Sequence, residues 1–131
     1  MKHLEDQHQE ALVTWANCAN LPCGEKIGQY LFAIPNGGKR GKAEGARFKK
    51  QGVKAGVSDL FLAYPFGEYA GLWIEMKAPA ESPDKKPKSR PTAAQKEWLN
   101  RMLGVGYDGA VCYGWHEARQ LITNYLKLGK K

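Results

Sequence analysis

Apolar residues along this chain follow two alternating periods. Over residues 4–19, Leu4, Ala11, Leu12, Trp15, Ala16 and Ala19 recur at helical spacing until Pro22 and Gly24 stop the run, which predicts a first helix. Residues 30–34 are a short β-type run, Tyr30-Leu31-Phe32-Ala33-Ile34, and Pro35-Asn36-Gly37-Gly38 demand a turn after it. Leu60-Phe61-Leu62-Ala63 and Leu72-Trp73-Ile74 read as two further strands, and Pro65, Gly67 and Gly71 between them predict a hairpin. Residues 79–91 form a charged, proline-rich loop that cannot pair in a central strand and is expected to be mobile. Thr92 caps a helix running to about Leu103, which Gly104 and Gly106 end. A fourth strand is predicted over residues 107–113. A third helix follows from His116 to Leu128, with Ala118, Leu121, Ile122, Tyr125 and Leu128 on one face. With no internal repeat and no long linker, residues 1–131 read as a single α/β domain, a mixed sheet covered by helices.

The hairpin brings charges together. With its turn at Gly67, Leu62 faces Leu72, Phe61 faces Trp73, Leu60 faces Ile74, and Asp59 faces Glu75, so two carboxylates meet at the open end. Side chains alternate along a strand, so Glu75 and Lys77 share one face while Met76 points away. A Glu-x-Lys triplet alone is weak, since at about 6% usage of each residue it occurs by chance in roughly half of chains this long. An ion pair at the rim of a sheet would account for Lys77 and one acid, and leaves the second carboxylate unexplained. A hard divalent cation accounts for both. On the first helix, Glu5 lies about 20° around the axis from Leu12 and so points with the buried face, while Glu10 points almost oppositely. A carboxylate on that stripe is either partly exposed at the frayed helix start or bound to a partner. Gln95, one turn into the second long helix, is a surface glutamine unless the site recruits it.

Composition adds a partner class. The 131 residues are 43% hydrophobic and 25% charged, as in an ordinary globular protein, but 20 Lys and Arg against 13 Asp and Glu give a net charge of +7, which favours a polyanion. The surplus collects between residues 39 and 54, at Lys39, Arg40, Lys42, Arg47, Lys49, Lys50 and Lys54, the last half of which suggests a short helix ending at Gly52. A solvated helical face and a phosphate-binding one both fit that stretch. No run is long enough to span a membrane, and the polar, acidic start is unlike a signal peptide, so a cytoplasmic protein is expected. Cys18, Cys23 and Cys112 form no C-x-x-C, and His3, His8 and His116 no zinc-type spacing, so reduced thiols are expected and any metal must be held by oxygen. Gly37-Gly38-Lys39-Arg40 lacks the spacing and the hydroxyl of a P-loop.

Several strings act together: Glu5-x-x-x-Gln9-x-x-Leu12-x-x-Trp15, Ile34-Pro35-Asn36-Gly37-Gly38-Lys39-Arg40, Gly56-Val57-Ser58-Asp59-Leu60, Gly71-Leu72-Trp73-Ile74-Glu75-Met76-Lys77 and Thr92-x-x-Gln95-x-x-Trp98. In this order they resemble the VRR-NUC branch of the PD-(D/E)xK nucleases over nearly the whole chain. Ser58 departs from the proline of the motif's name, at a position outside the chemistry. The resemblance implies a restriction-endonuclease-like αβββαβ core, with Mg²⁺ or Mn²⁺ held by Asp59, Glu75 and the main-chain carbonyl of Met76, and with Glu5 completing the shell. It implies that Lys77 assists the attacking water and that Gln95 positions the site or the phosphate backbone. It further implies a Holliday-junction-resolvase-like homodimer acting on branched DNA. The basic stretch, together with Lys85, Lys86, Lys88 and Arg90 of the proline-rich loop, would hold the DNA backbone without reading bases. The rival reading is a non-catalytic DNA-binding subunit that retains the nuclease fold.

Overall fold

The computed structural model describes residues 4–35 and 42–127. Lys39 and Arg40, most of the turn after the first strand, and Leu128 lie outside the described residues. The elements are α1 (Leu4–Ala16), a 3-10 turn (Ile27–Gln29), β1 (Leu31–Ala33), α2 (Lys42–Lys50), β2 (Leu60–Leu62), β3 (Leu72–Lys77), α3 (Ala93–Gly104), β4 (Asp108–Tyr113) and α4 (Trp115–Lys127). The four strands form one mixed sheet in the order β1-β2-β3-β4, flanked by helices, as the hydrophobic pattern predicts. The β2–β3 register is the expected one, with Leu60, Phe61 and Leu62 opposite Ile74, Trp73 and Leu72.

Three differences have local causes. α1 ends at Ala16 instead of continuing to Ala19, because the Ala19 carbonyl accepts the Ile27 N–H (2.9 Å) and Asn20 bridges Lys26, which turns the chain back towards the sheet. β1 is shorter than the apolar run, yet Ala63 N–H to the Tyr30 carbonyl (2.9 Å) and Ile34 N–H to the Asp59 carbonyl (2.8 Å) extend its pairing at both ends. β3 is longer than predicted because Met76 and Lys77 pair with Cys112 and Tyr113 in the parallel strand β4, reached through the α3 crossover.

The strand period divides the interior. Leu72, Ile74 and Met76 of β3 are fully buried in one core with Leu12 and Ala16 of α1 and Ala118, Ile122 and Tyr125 of α4. On the opposite face Trp73 packs edge-on against Trp98 of α3, with ring centroids 5.2 Å apart, and against Phe61 at 4.3 Å. Gly109 lets β4 approach this layer, since a Cβ there would lie 3.0 Å from Leu99. β3 is therefore covered on both faces, and its polar end residues are buried with it. Cys112 is buried, which pushes its thiol up to about 12, with Glu117 adding to the rise; Cys18 and Cys23 are exposed and free.

Candidate active site

The acidic pair forms where β2 stops and β3 continues. Beyond Leu60 the ladder lacks a backbone partner, and the Asp59 side chain takes its place: Oδ2 accepts the Met76 N–H at 2.7 Å. In an extended strand the N–H and C=O of one residue point to the same edge, so the Met76 carbonyl also faces the Asp59 side. The neighbouring carbonyl of Lys77 points the other way and accepts the Gly114 N–H at 2.9 Å. Glu75, in register with Val111 on the neighbouring strand β4, is 1% exposed, and Lys77 is 7% exposed. The Lys77 ammonium is 3.8 Å from Glu75 Oε2, too long for a hydrogen bond, and Glu75 Oε1 is buried with no hydrogen-bond partner.

This arrangement strains a carboxylate. Burial first, then the adjacent Asp59 carboxylate and last Glu5, together push the Glu75 carboxyl up to about 9 against the opposing pull of Lys77. A buried acid in this position either holds a proton or meets a cation. The fit to Mg²⁺ or Mn²⁺ is good on these grounds: two carboxylates and a carbonyl converge, all hard oxygen donors, and one buried oxygen has no partner. Among the described residues no three or more His, Cys, Asp or Glu are gathered closely enough to hold a metal ion, Glu5, Asp59 and Glu75 included, so coordination beyond Asp59, Glu75 and the Met76 carbonyl would fall to water and phosphate oxygens.

The N-terminal half of α1 lies against the junction between β4 and α4. There His8 Nδ1 accepts the Trp115 N–H at 2.9 Å and flanks Gly114, while Glu5, one turn earlier on the same face, is half-buried and within electrostatic reach of Glu75. Glu5, which the helical wheel places with the buried face, carries a charge that reaches Glu75, and Glu10, on the other side of the helix, is exposed. Gln95 has a structural role: its Oε1 accepts the Thr92 N–H (2.8 Å) while the Thr92 hydroxyl accepts the Gln95 N–H (3.1 Å), a reciprocal cap on α3. That capped end packs on the loop leading to Asp59, because Gly56 (φ +88°) approaches Ala94 so closely that a Cβ would lie 2.6 Å from its backbone.

Of the basic residues, Lys42 opens α2, and Arg47, Lys49 and Lys50 lie in its last turn, with Arg47 over the Phe48 ring. Lys85, Lys86, Lys88 and Arg90 are exposed on the strap between β3 and α3, and Lys88 pairs with Glu81 at 3.4 Å. Lys86 and Arg90 line a groove of about 450 Å³ with Lys96 and Tyr113. Lys96 and Tyr113 had no motif to mark them. Tyr113 is adjacent to Lys77 only because β4 runs parallel to β3, a pairing that local sequence does not encode; Lys96 is signalled only by following Gln95 in the first turn of a capped helix.

Comparison with known proteins places the chain in a family. No curated protein matches the chain. The model of the VRR-NUC domain matches residues 4–116, a span that includes Glu5, Asp59, Glu75, Lys77 and Gln95. A solved structure described as a VRR_NUC domain protein is 30% identical and superposes with a TM-score of 0.79, covering 98% of this chain and 93% of its own. The chain thus belongs to the VRR-NUC family and is a nuclease-type domain.

Proposed function

We propose that this protein is a metal-dependent endonuclease that hydrolyses DNA phosphodiester bonds in the cytoplasm, selects branched substrates by shape, and works as a homodimer. The observation that carries the reading is Glu75: a buried acid with an unpartnered oxygen, beside Asp59 and Lys77, at the end of a sheet. Structural roles explain Gln95, but not this trio.

A Mg²⁺ or Mn²⁺ held by Asp59, Glu75 and the Met76 carbonyl, with the charge of Glu5 within reach, would supply Lewis acidity towards the scissile phosphate and the attacking water. The chain's own residues provide the rest. Met76 N–H holds one Asp59 oxygen, which fixes the direction of the other. The Lys77 ammonium, restrained by burial in β3, donates to the attacking water or to a phosphate oxygen whose charge grows in the transition state. The basic strap and α2 hold the phosphate backbone without base contacts, which favours recognition by shape. One compact domain with one such site cuts one strand, so paired cuts across a junction call for a second copy related by a two-fold axis. Among the described residues no helix is long and apolar enough to cross a membrane, which fits action on soluble DNA.

The test is incubation with duplex, nicked, forked and four-way-junction DNA in Mg²⁺, Mn²⁺ or EDTA, with light scattering to weigh the particle. Cleavage that needs the cation, prefers the junction and disappears in Asp59→Ala and Lys77→Ala is expected. Binding without cutting under every condition would establish the non-catalytic alternative.

A further inference from the structure

We propose that the groove between the proline-rich strap and the first turn of α3 is a subsite for one unpaired nucleotide, its base on the Tyr113 ring and its phosphate among Lys86, Arg90 and Lys96. The inference rests on the nuclease reading and narrows its substrate. The groove, about 450 Å³, is lined by Lys86, Pro87, Arg90, Pro91, Lys96 and Tyr113, three cations and no acid. That volume suits a small ligand, and the charge suits a phosphate. Lys88 on the same strap pairs instead with Glu81, outside this lining.

Tyr113 makes the groove more than a cationic patch. Phe32, Phe61, Trp73, Trp98 and Tyr107 on the α3 side of the sheet pack on one another, whereas among the described residues the half-buried Tyr113 ring pairs with no aromatic side chain. Its strand end is held in place, since the Tyr113 N–H donates to Glu117 Oε1 at 2.8 Å. Tyr113 is in register with Lys77, and partners in register project from the same face, so the groove opens beside Lys77. Base faces inside a duplex are covered by their neighbours; only an unstacked base can lie on the ring, while a duplex engages the cations alone. Pro87 and Pro91 add apolar walls for the sugar.

The test is fluorescence anisotropy in EDTA with labelled oligothymidylate, an abasic oligomer of the same length, and a duplex. Tyr113→Ala is expected to weaken oligothymidylate binding by about five- to 150-fold, the range of base–aromatic stacking, and to leave the abasic oligomer and the duplex unchanged. Tyr113→Phe should match the wild type, and Lys96→Ala should weaken all three ligands. Equal weakening of all three by Tyr113→Ala, or none, overturns the proposal. Should Tyr113→Ala fail to fold, the wild type still decides, because equal affinity for oligothymidylate and the abasic oligomer also overturns it. Absence of cleavage by the wild type would sink the nuclease reading alone, since this measurement involves neither metal nor cut.

Discussion

Replacing Glu75 by Gln should stabilise the metal-free protein while abolishing its activity. The Glu75 carboxyl moves from 4.5 to about 9 on folding, chiefly because it is buried. Below pH 4.5 both folded and unfolded chains hold the proton, and the group makes no difference to stability. Between pH 4.5 and 9 the unfolded chain releases it and the folded chain retains it, so stability falls as pH rises; above 9 the loss is constant. Each pH unit in the window removes about 1.4 kcal/mol, which at pH 7 reaches about 3 kcal/mol at full strength. Relaxation of the site and an effective dielectric well above that of a dry interior reduce this to about 1–2 kcal/mol. Glu75→Gln keeps the shape and removes the titration. In EDTA at pH 7 its thermal midpoint should exceed that of the wild type by about 4–10 °C. The gap should widen towards pH 9 and close by pH 4.5, read by circular dichroism. Adding Mn²⁺ should raise the wild-type midpoint, as a cation takes the place of the proton, and leave the variant unmoved. A variant less stable than the wild type at pH 7 to 8, or a gap indifferent to pH, would refute the burial argument.

Other substitutions separate chemistry from scaffold. Lys77→Met should lower cleavage by about 10²-fold or more while the protein stays folded and binds DNA, measured by single-turnover cleavage and anisotropy. Gly56→Ala forces a Cβ to within 2.6 Å of the Ala94 backbone and strains a positive φ, so it should destabilise the fold by more than about 1 kcal/mol in urea unfolding and reduce cleavage by displacing Asp59. Thr92→Ala should cost about 1 kcal/mol of stability through the lost cap; Gln95→Ala should match it in unfolding, and a much larger loss of cleavage in Gln95→Ala would show the amide acting at the site as well. Lys86→Ala and Arg90→Ala should each reduce the salt slope of DNA binding by about one, without changing sequence preference.

Local pattern determined much of this protein. The period-two run and the glycine turn specify the β2–β3 register, because a slip of one residue would turn Leu60, Leu62, Leu72 and Ile74 out of the core. That register is enough to bring Asp59 and Glu75 together, and the helical stripe is enough to separate Glu5 from Glu10. Non-local packing decided the rest. The length of β3, the burial of Glu75 and Lys77 and the position of Tyr113 beside Lys77 all follow from parallel pairing with β4 after a crossover through α3, which no short window of sequence encodes. Gln95 shows the same limit from the other side. Its spacing from Thr92 suits both a cap and a catalytic helper, and only the folded geometry shows its oxygen bonded to the Thr92 N–H. Sequence periodicity tells which face of an element is covered, whereas the energy of a buried charge depends on what covers it.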